Sequence, residues 1–172
     1  MKYNDIVRFP TIHYSVDCHW MFLEEQISTF INEYGLQICP DFQRGYVWTE
    51  AQQVAYIEFM LKEGESGRDI YLNHPGWMNG FKGEFVLVDG LQRLTAARKF
   101  VANELRAFGY LAKEMGRKIP LSYRLRFHVA RLKTRAEVLE WYVAFNEGGT
   151  PHPKEEIDRV KSLLAAELNK GG

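Results

Sequence analysis

The chain has 172 residues, 46% of them apolar and 14% aromatic, with 22 basic side chains against 22 acidic ones. That is enough apolar material for one core and excludes a disordered chain. No apolar run approaches the ~18 residues that cross a bilayer, Met1 to Pro10 lack the apolar stretch of a secretory signal, and Cys18 and Cys39 form neither a disulfide framework nor a Cys/His cluster. The expectation is a cytoplasmic domain with no membrane contact and no zinc.

Taken in order, Trp20, Leu23, Ile27, Phe30, Ile31 and Tyr34 make a helical stripe that Gly35 would close. Leu36 to Cys39 reads as a short strand stopped by Pro40. Thr49-x-x-Gln52 is a capping box opening a helix with Val54, Ile57, Met60 and Leu61 on one face, ended by Gly64. Arg68 to Leu72 reads as a strand and Asn73 to Gly83 as a loop. Phe85 to Val88 is a strand that stops at Asp89-Gly90, and a helix runs from about Leu91 to Asn103. Leu105 to Phe108 reads as a further short strand. Tyr123 to Val129 alternates Leu125, Phe127 and Val129 with Arg124, Arg126 and His128, the period of a half-buried strand. Thr134-x-x-Glu137 is a second capping box, with Val138, Trp141, Tyr142 and Phe145 on its helix, which breaks at Asn146 to Thr150. A last helix runs from about Pro153 to Leu168. There is no internal repeat. Few, short strands interspersed with helices predict an α+β domain with a small mixed sheet.

Net charge is zero but uneven. Residues 98–135 hold eleven Lys and Arg against Glu104 and Glu114, a net +9, so the rest carries −9. Two readings fit: a surface facing a polyanion such as DNA, or a basic face that pairs with the chain's own acids.

Three polar clusters sit where elements end, where sites are usually built. In the first, Asp41 to Trp48, Gln43 and Arg44 offer an amide and a phosphate-matched fork, with Tyr46 and Trp48 as stacking surfaces. The alternative is a loop whose aromatics plug the core while Arg44 pairs with a helix carboxylate. In the second, Asp89 to Thr95, a strand–turn–helix junction aims free backbone N–H groups at one point. A cation in the first helical turn is disfavoured by a few tenths to about 1 kcal/mol, so Arg93 needs a partner, either Asp89 or a bound phosphate. Asp89 suits a water-mediated Mg²⁺ or a ribose hydroxyl. Gln92 and Arg93 suit phosphate oxygens, helped by Thr95. No P-loop is present. The alternative is an Asp89–Arg93 brace, worth ~0–1 kcal/mol when exposed. In the third, Asn146 to Ile157, Gly148 and Gly149 permit close backbone approach to a ligand. Thr150 or His152 caps the next helix, His152 is a candidate general base, and Glu156 lies about a turn inside that helix. A plain helix–loop–helix corner accounts for all of it except Asn146 and His152. No Ser-His-Asp, Cys-His or metal-ligand set follows from spacing.

In this order, Pro40 to Trp48, Val88 to Ala96, and Asn146-x-Gly148-Gly149-Thr150 with Glu156-Ile157 resemble the N-terminal domain of GmrSD-type restriction enzymes. That is the "DGQQR" domain of the ParB/sulfiredoxin-like superfamily. The resemblance spans about residues 36–165 and is especially close to short phage and prophage chains. It implies a ParB-like fold in one domain over 1–172, with a helix over 17–35 packed on it. It also implies a nucleotide site at the Asp89-Gly90-Leu91-Gln92-Arg93 turn, with Asp89 and Arg93 catalytic. Gln43 and Arg44 match the Q-R of the first motif, and Asn146, Gly148 and Gly149 the N-x-G-G. Thr95 joins the binding set, with Tyr46, Trp48, His152 and Glu156 accessory. The implied activity is NTP binding, with Mg²⁺-dependent hydrolysis, acting with DNA through 98–135 or with a separate effector. Two departures bear on this. Leu91 stands where the motif has its first Gln, and the restriction enzymes' C-terminal HNH-type nuclease domain is not within these residues, so DNA cutting is not carried over. The other readings are a nuclease with Asp89 and Glu156 or another acid around a metal, and a non-enzymatic phage factor that engages a host defence complex.

Overall fold

The computed structural model describes residue 6 and residues 9–116, 123–148 and 154–170. Five strands form one mixed sheet: β1 (Ile12–His19), β2 (Leu36–Gln37), β3 (Asp69–Asn73), β4 (Phe85–Asp89) and β5 (Arg124–Ala130), in the order β1-β5-β3-β4-β2. The β1/β5 and β3/β4 pairs are antiparallel, and β3/β5 and β2/β4 are parallel. Five helices accompany them: α1 (Leu23–Tyr34), α2 (Glu50–Leu61), α3 (Leu91–Val101), α4 (Arg135–Gly148) and α5 (Lys154–Lys170). The α+β class with a small mixed sheet is as expected.

Local chemistry sets the helix ends. Gly35 adopts a left-handed φ of 71° and its N–H closes α1 onto the Ile31 carbonyl. Both capping boxes form: the Thr49 hydroxyl accepts from the Gln52 N–H, and the Glu137 carboxylate accepts from the Thr134 N–H at 2.8 Å. Each face of the sheet has its own core. Leu125, Phe127, Val129, Ile70, Leu72, Phe85 and Leu87 pack under α1, α2 and α3, while Val86, Val88 and Ala130 pack against α4 and α5 through Val138, Leu139, Trp141, Tyr142, Ile157 and Val160.

Three expectations change. The helix expected over 17–35 begins at Leu23 after a 3-10 turn at Trp20–Phe22, because Asp17, Cys18 and His19 belong to β1 and pair with β5. Leu105 to Phe108 forms no strand, only an isolated bridge between Ala107 and Tyr110. Asn146 does not begin a break: α4 continues through it to Gly148, with the Asn146 amide donating back to the Tyr142 carbonyl at 2.6 Å.

Candidate functional site

The loop between β2 and α2 is held from two sides. On one side Phe42, 1% exposed, packs edge-on against Tyr142 with ring centroids 5.3 Å apart. Arg159 of α5 donates to the Asp41 and Phe42 carbonyls (3.0 and 2.8 Å), and Arg135 of α4 meets the Asp41 carboxylate at 2.7 Å. That ion-pair hydrogen bond holds the Asp41 carboxyl below its usual range. On the other side Gln92 clamps the loop: its Oε1 accepts from the N–H groups of Val47 and Trp48 (3.0 and 3.1 Å) and its Nε2 donates to the Gly45 carbonyl. Gln43 reaches across to β4, donating to the Leu87 and Val88 carbonyls (3.1 and 2.9 Å). The two glutamines expected to meet phosphate thus have amide groups engaged in fixing the loop.

The result is a cavity of about 700 Å³ at the junction of β4 and α3. Residues of all three polar clusters line it: Gln43, Arg44 and Trp48 from the first, Asp89 to Arg93 from the second, Asn146 from the third. Tyr71, Tyr142 and Phe145 add an aromatic wall. The N-cap of α3 is Gly90 (φ 107°), no side chain caps the helix, and its first-turn residues Leu91, Gln92 and Arg93 line the cavity. Gly90 is required there, since a Cβ would lie 2.6 Å from Ile70 Cδ1.

Two guanidinium groups reach this wall in different states. Arg93 meets Asp89, at the end of β4 four residues earlier, at 2.5 Å, and also donates to the Asp69 carbonyl at 3.0 Å. Of the two partners open to it, Arg93 therefore has the carboxylate, and it is not a cation waiting for phosphate. The Arg44 side chain has no ion pair or hydrogen bond among the described residues, and its buried Nε–H has no acceptor. The Nε–H of Arg93 is likewise buried without an acceptor. Tyr71 is pushed up by burial and then by Asp69 and Asp89, so its hydroxyl stays protonated as a donor at neutral pH. Burial pushes Tyr142 up to about 12.

The remaining expected residues lie elsewhere. The Thr95 hydroxyl turns back to the Leu91 carbonyl at 2.8 Å, an in-helix bond rather than a ligand contact. Tyr46 lies beneath the Lys99 ammonium, 5.0 Å from its ring centre, and its hydroxyl is buried. Glu156 pairs with Arg159 at 2.9 Å and is not part of the cavity lining, so it does not join Asp89 as a metal site. Gly148 ends α4, while Gly149, Thr150 and His152 lie outside the described residues. Among the described residues no three His, Cys, Asp or Glu side chains gather as a metal cluster. None of the described residues of the basic segment lines the cavity. Arg98 pairs with Glu24, Arg106 with Glu114, Arg124 and Arg126 with Asp17, and Arg135 with Asp41. Asp69 and His128, which the sequence reading did not select, join β3 to β5 at the cavity edge: Asp69 lines it, and His128 Nε2 lies 2.7 Å from Asp69 Oδ1.

These features define an α+β domain with a cavity at a strand-end, helix-start junction, walled by aromatic side chains and an arginine unpaired among the described residues. The GmrSD restriction endonuclease N-terminal domain model matches residues 27–162. The chain belongs to that family, which places it in a restriction context. No curated protein and no solved structure gives a significant match. No helix among the described residues is long and apolar enough to cross a membrane.

Proposed function

We propose that this domain binds a nucleoside triphosphate in the cavity, as a module of a restriction-type system, and hydrolyses it slowly with Mg²⁺. The observation that supports this most is the meeting of three separated motifs at one uncapped helix start, beside an arginine with no ion pair among the described residues. Phosphate oxygens satisfy the first-turn N–H groups of α3 and the fork of Arg44 together. Trp48, Tyr71 and Phe145 provide flat apolar surface for a base. Asp89, at the end of β4, is the wall carboxylate that suits Mg²⁺ held mainly by phosphates and its own waters. Arg93 serves by holding Asp89, and Gln43 and Gln92 by holding the loop that carries Arg44.

The test is titration calorimetry with ATP, CTP, GTP and UTP in the presence of Mg²⁺. The wild type is expected to bind at least one of the four. Arg44→Ala is expected to weaken that binding by about 10- to 100-fold, the loss of one charge-assisted phosphate contact, with an unchanged melting curve. No binding by the wild type to any of the four would overturn the reading.

A further inference from the structure

Beyond the motif residues, a second polar group adjoins the cavity. Ser15 of β1, His128 of β5 and Asp69 of β3 lie in one line across the sheet: Ser15 Oγ to His128 Nδ1 is 2.8 Å, and His128 Nε2 to Asp69 Oδ1 is 2.7 Å. Strand pairing brings them together, since Ser15 stands opposite His128 in the β1/β5 ladder and Asp69 is two residues from Tyr71, the β3 partner of His128. The His128 ring is stacked on Tyr71, centroids 4.9 Å apart and planes within 20°. Its orientation is therefore fixed by a stack and by hydrogen-bond partners at both nitrogens. Asp69 lines two spaces at once: the main cavity, and a smaller cleft of about 180 Å³ shared with Asp17, Glu65, Arg68, Arg124 and Arg126.

The two carboxylates of the cavity wall are not equivalent. The Asp89 carboxylate is engaged by the Arg93 guanidinium at 2.5 Å. The Asp69 carboxylate has one hydrogen-bond partner among the described residues, His128, and its side chain is 46% exposed. Of the two carboxylates, Asp69 is the one not held by an arginine among the described residues.

We propose that Asp69 is the general base of the cavity and that His128, held by Ser15 and Tyr71, is its positioning residue. This rests on the nucleotide reading above and extends it to the reaction. A water between Asp69 and the terminal phosphate forms the new P–O bond. The bond from that phosphorus to the bridging oxygen breaks, and the nucleoside diphosphate leaves with the electron pair. The water's proton goes to the Asp69 carboxylate and is released to solvent through the smaller cleft. Orienting the water is the larger part of such a role.

The test pairs binding calorimetry with single-turnover hydrolysis of the best-bound nucleotide, on wild type, Asp69→Asn, His128→Gln and Asp89→Asn, each checked for folding by circular dichroism. Asp69→Asn is expected to bind nucleotide within about threefold of wild type and to hydrolyse it at least about 100-fold more slowly. His128→Gln, which keeps a donor near Asp69, is expected to slow hydrolysis by about tenfold and to move the acidic limb of the pH–rate profile. The titratable and charged groups around the imidazole are Asp69, Asp17, Tyr71, Arg124 and Arg126. Asp89→Asn is expected to keep that limb where it is. Wild-type hydrolysis by Asp69→Asn overturns the proposal and leaves nucleotide binding standing. So does a wild type that binds nucleotide without hydrolysing it. A wild type that binds no nucleotide removes both readings.

Discussion

The two faces of the sheet are built from the same strands and treated in opposite ways. Under α1, α2 and α3 the face is sealed: Ile70, Leu72, Leu125, Phe127 and Val129 are all 0% exposed. On the other face α4 and α5 cover β4 but leave the β1 and β5 side to charged and polar residues, with Asp17 bonded to both Arg124 and Arg126 and with Ser15, His128 and Asp69 in line. Alternation along β5 divides one heptapeptide between these roles. The cavity opens where the second helical layer stops short, with Tyr142, Phe145 and Asn146 of α4 as its outer wall. Stability is thus concentrated on one face and chemistry on the border of the other.

The largest expected effect tests that division within one strand. Phe127→Ala on the sealed face leaves a cavity beneath α1 and is expected to cost about 3–5 kcal/mol in urea unfolding. Arg126→Ala next to it removes an ion pair open to water and is expected to leave the unfolding midpoint nearly unchanged. Equal losses for the two variants would break the comparison. At the border, Gly90→Ala forces a left-handed φ on a residue with a Cβ and drives that Cβ against Ile70 of the sealed core. About 2 kcal/mol of destabilisation is expected, and the nucleotide site is expected to be lost with the α3 start. A variant that unfolds like wild type would show that the turn relaxes freely.

A smaller effect belongs to the loop that carries Arg44. Gln92→Ala removes one acceptor shared by two backbone N–H groups and one donor to Gly45. The cost is expected to be about 1 kcal/mol, but hydrogen exchange at Val47 and Trp48 is expected to rise far more than elsewhere. Unchanged protection at those two amides would mean that the clamps from Arg135 and Arg159 suffice.

Much of this was legible in the sequence because it depends on neighbours in the chain. Both capping boxes, the Gly35 cap, the alternation of β5 and the strand–turn–helix at Asp89 are local patterns. The three motifs also selected Gln43, Arg44, Asp89 to Arg93 and Asn146, all of which line one cavity. What spacing did not carry is which way a motif residue faces. Arg93 had two partners open to it, and only the fold chooses Asp89. Gln92 offers a phosphate the same amide that it gives to the loop. The β1 strand does alternate, but it is an edge strand whose Tyr14 and Val16 are only half-buried, and its identity depends on pairing with β5 more than a hundred residues later. Ser15, Asp69 and His128 become a group only through those pairings, with separations of 113 and 59 residues. A search for local motifs passes over them.

The smallest effect is spread over the surface and concerns acid. A hydrogen bond from Arg126 holds the Asp17 carboxyl below its usual range, one from Arg135 does the same for Asp41, and the Thr134 N–H does so for Glu137. Each folded pKa lies below its unfolded value. The stabilisation is therefore fully present above the unfolded carboxylate range near pH 4 and is lost as pH falls through the folded values. Asp17 braces the open face and Asp41 ties the Arg44 loop to α4, so acid is expected to loosen the border before it reaches the sealed core. The measurement is urea unfolding from pH 6 down to pH 2.5, on wild type and on Asp17→Asn combined with Asp41→Asn. The double variant is expected to be slightly weaker at pH 6 and to have a shallower decline below pH 4, since two of the protons that unfolding would take up no longer have carboxylates to bind. Parallel declines would assign the acid sensitivity to carboxylates elsewhere, and the difference between the two faces would then rest on packing alone.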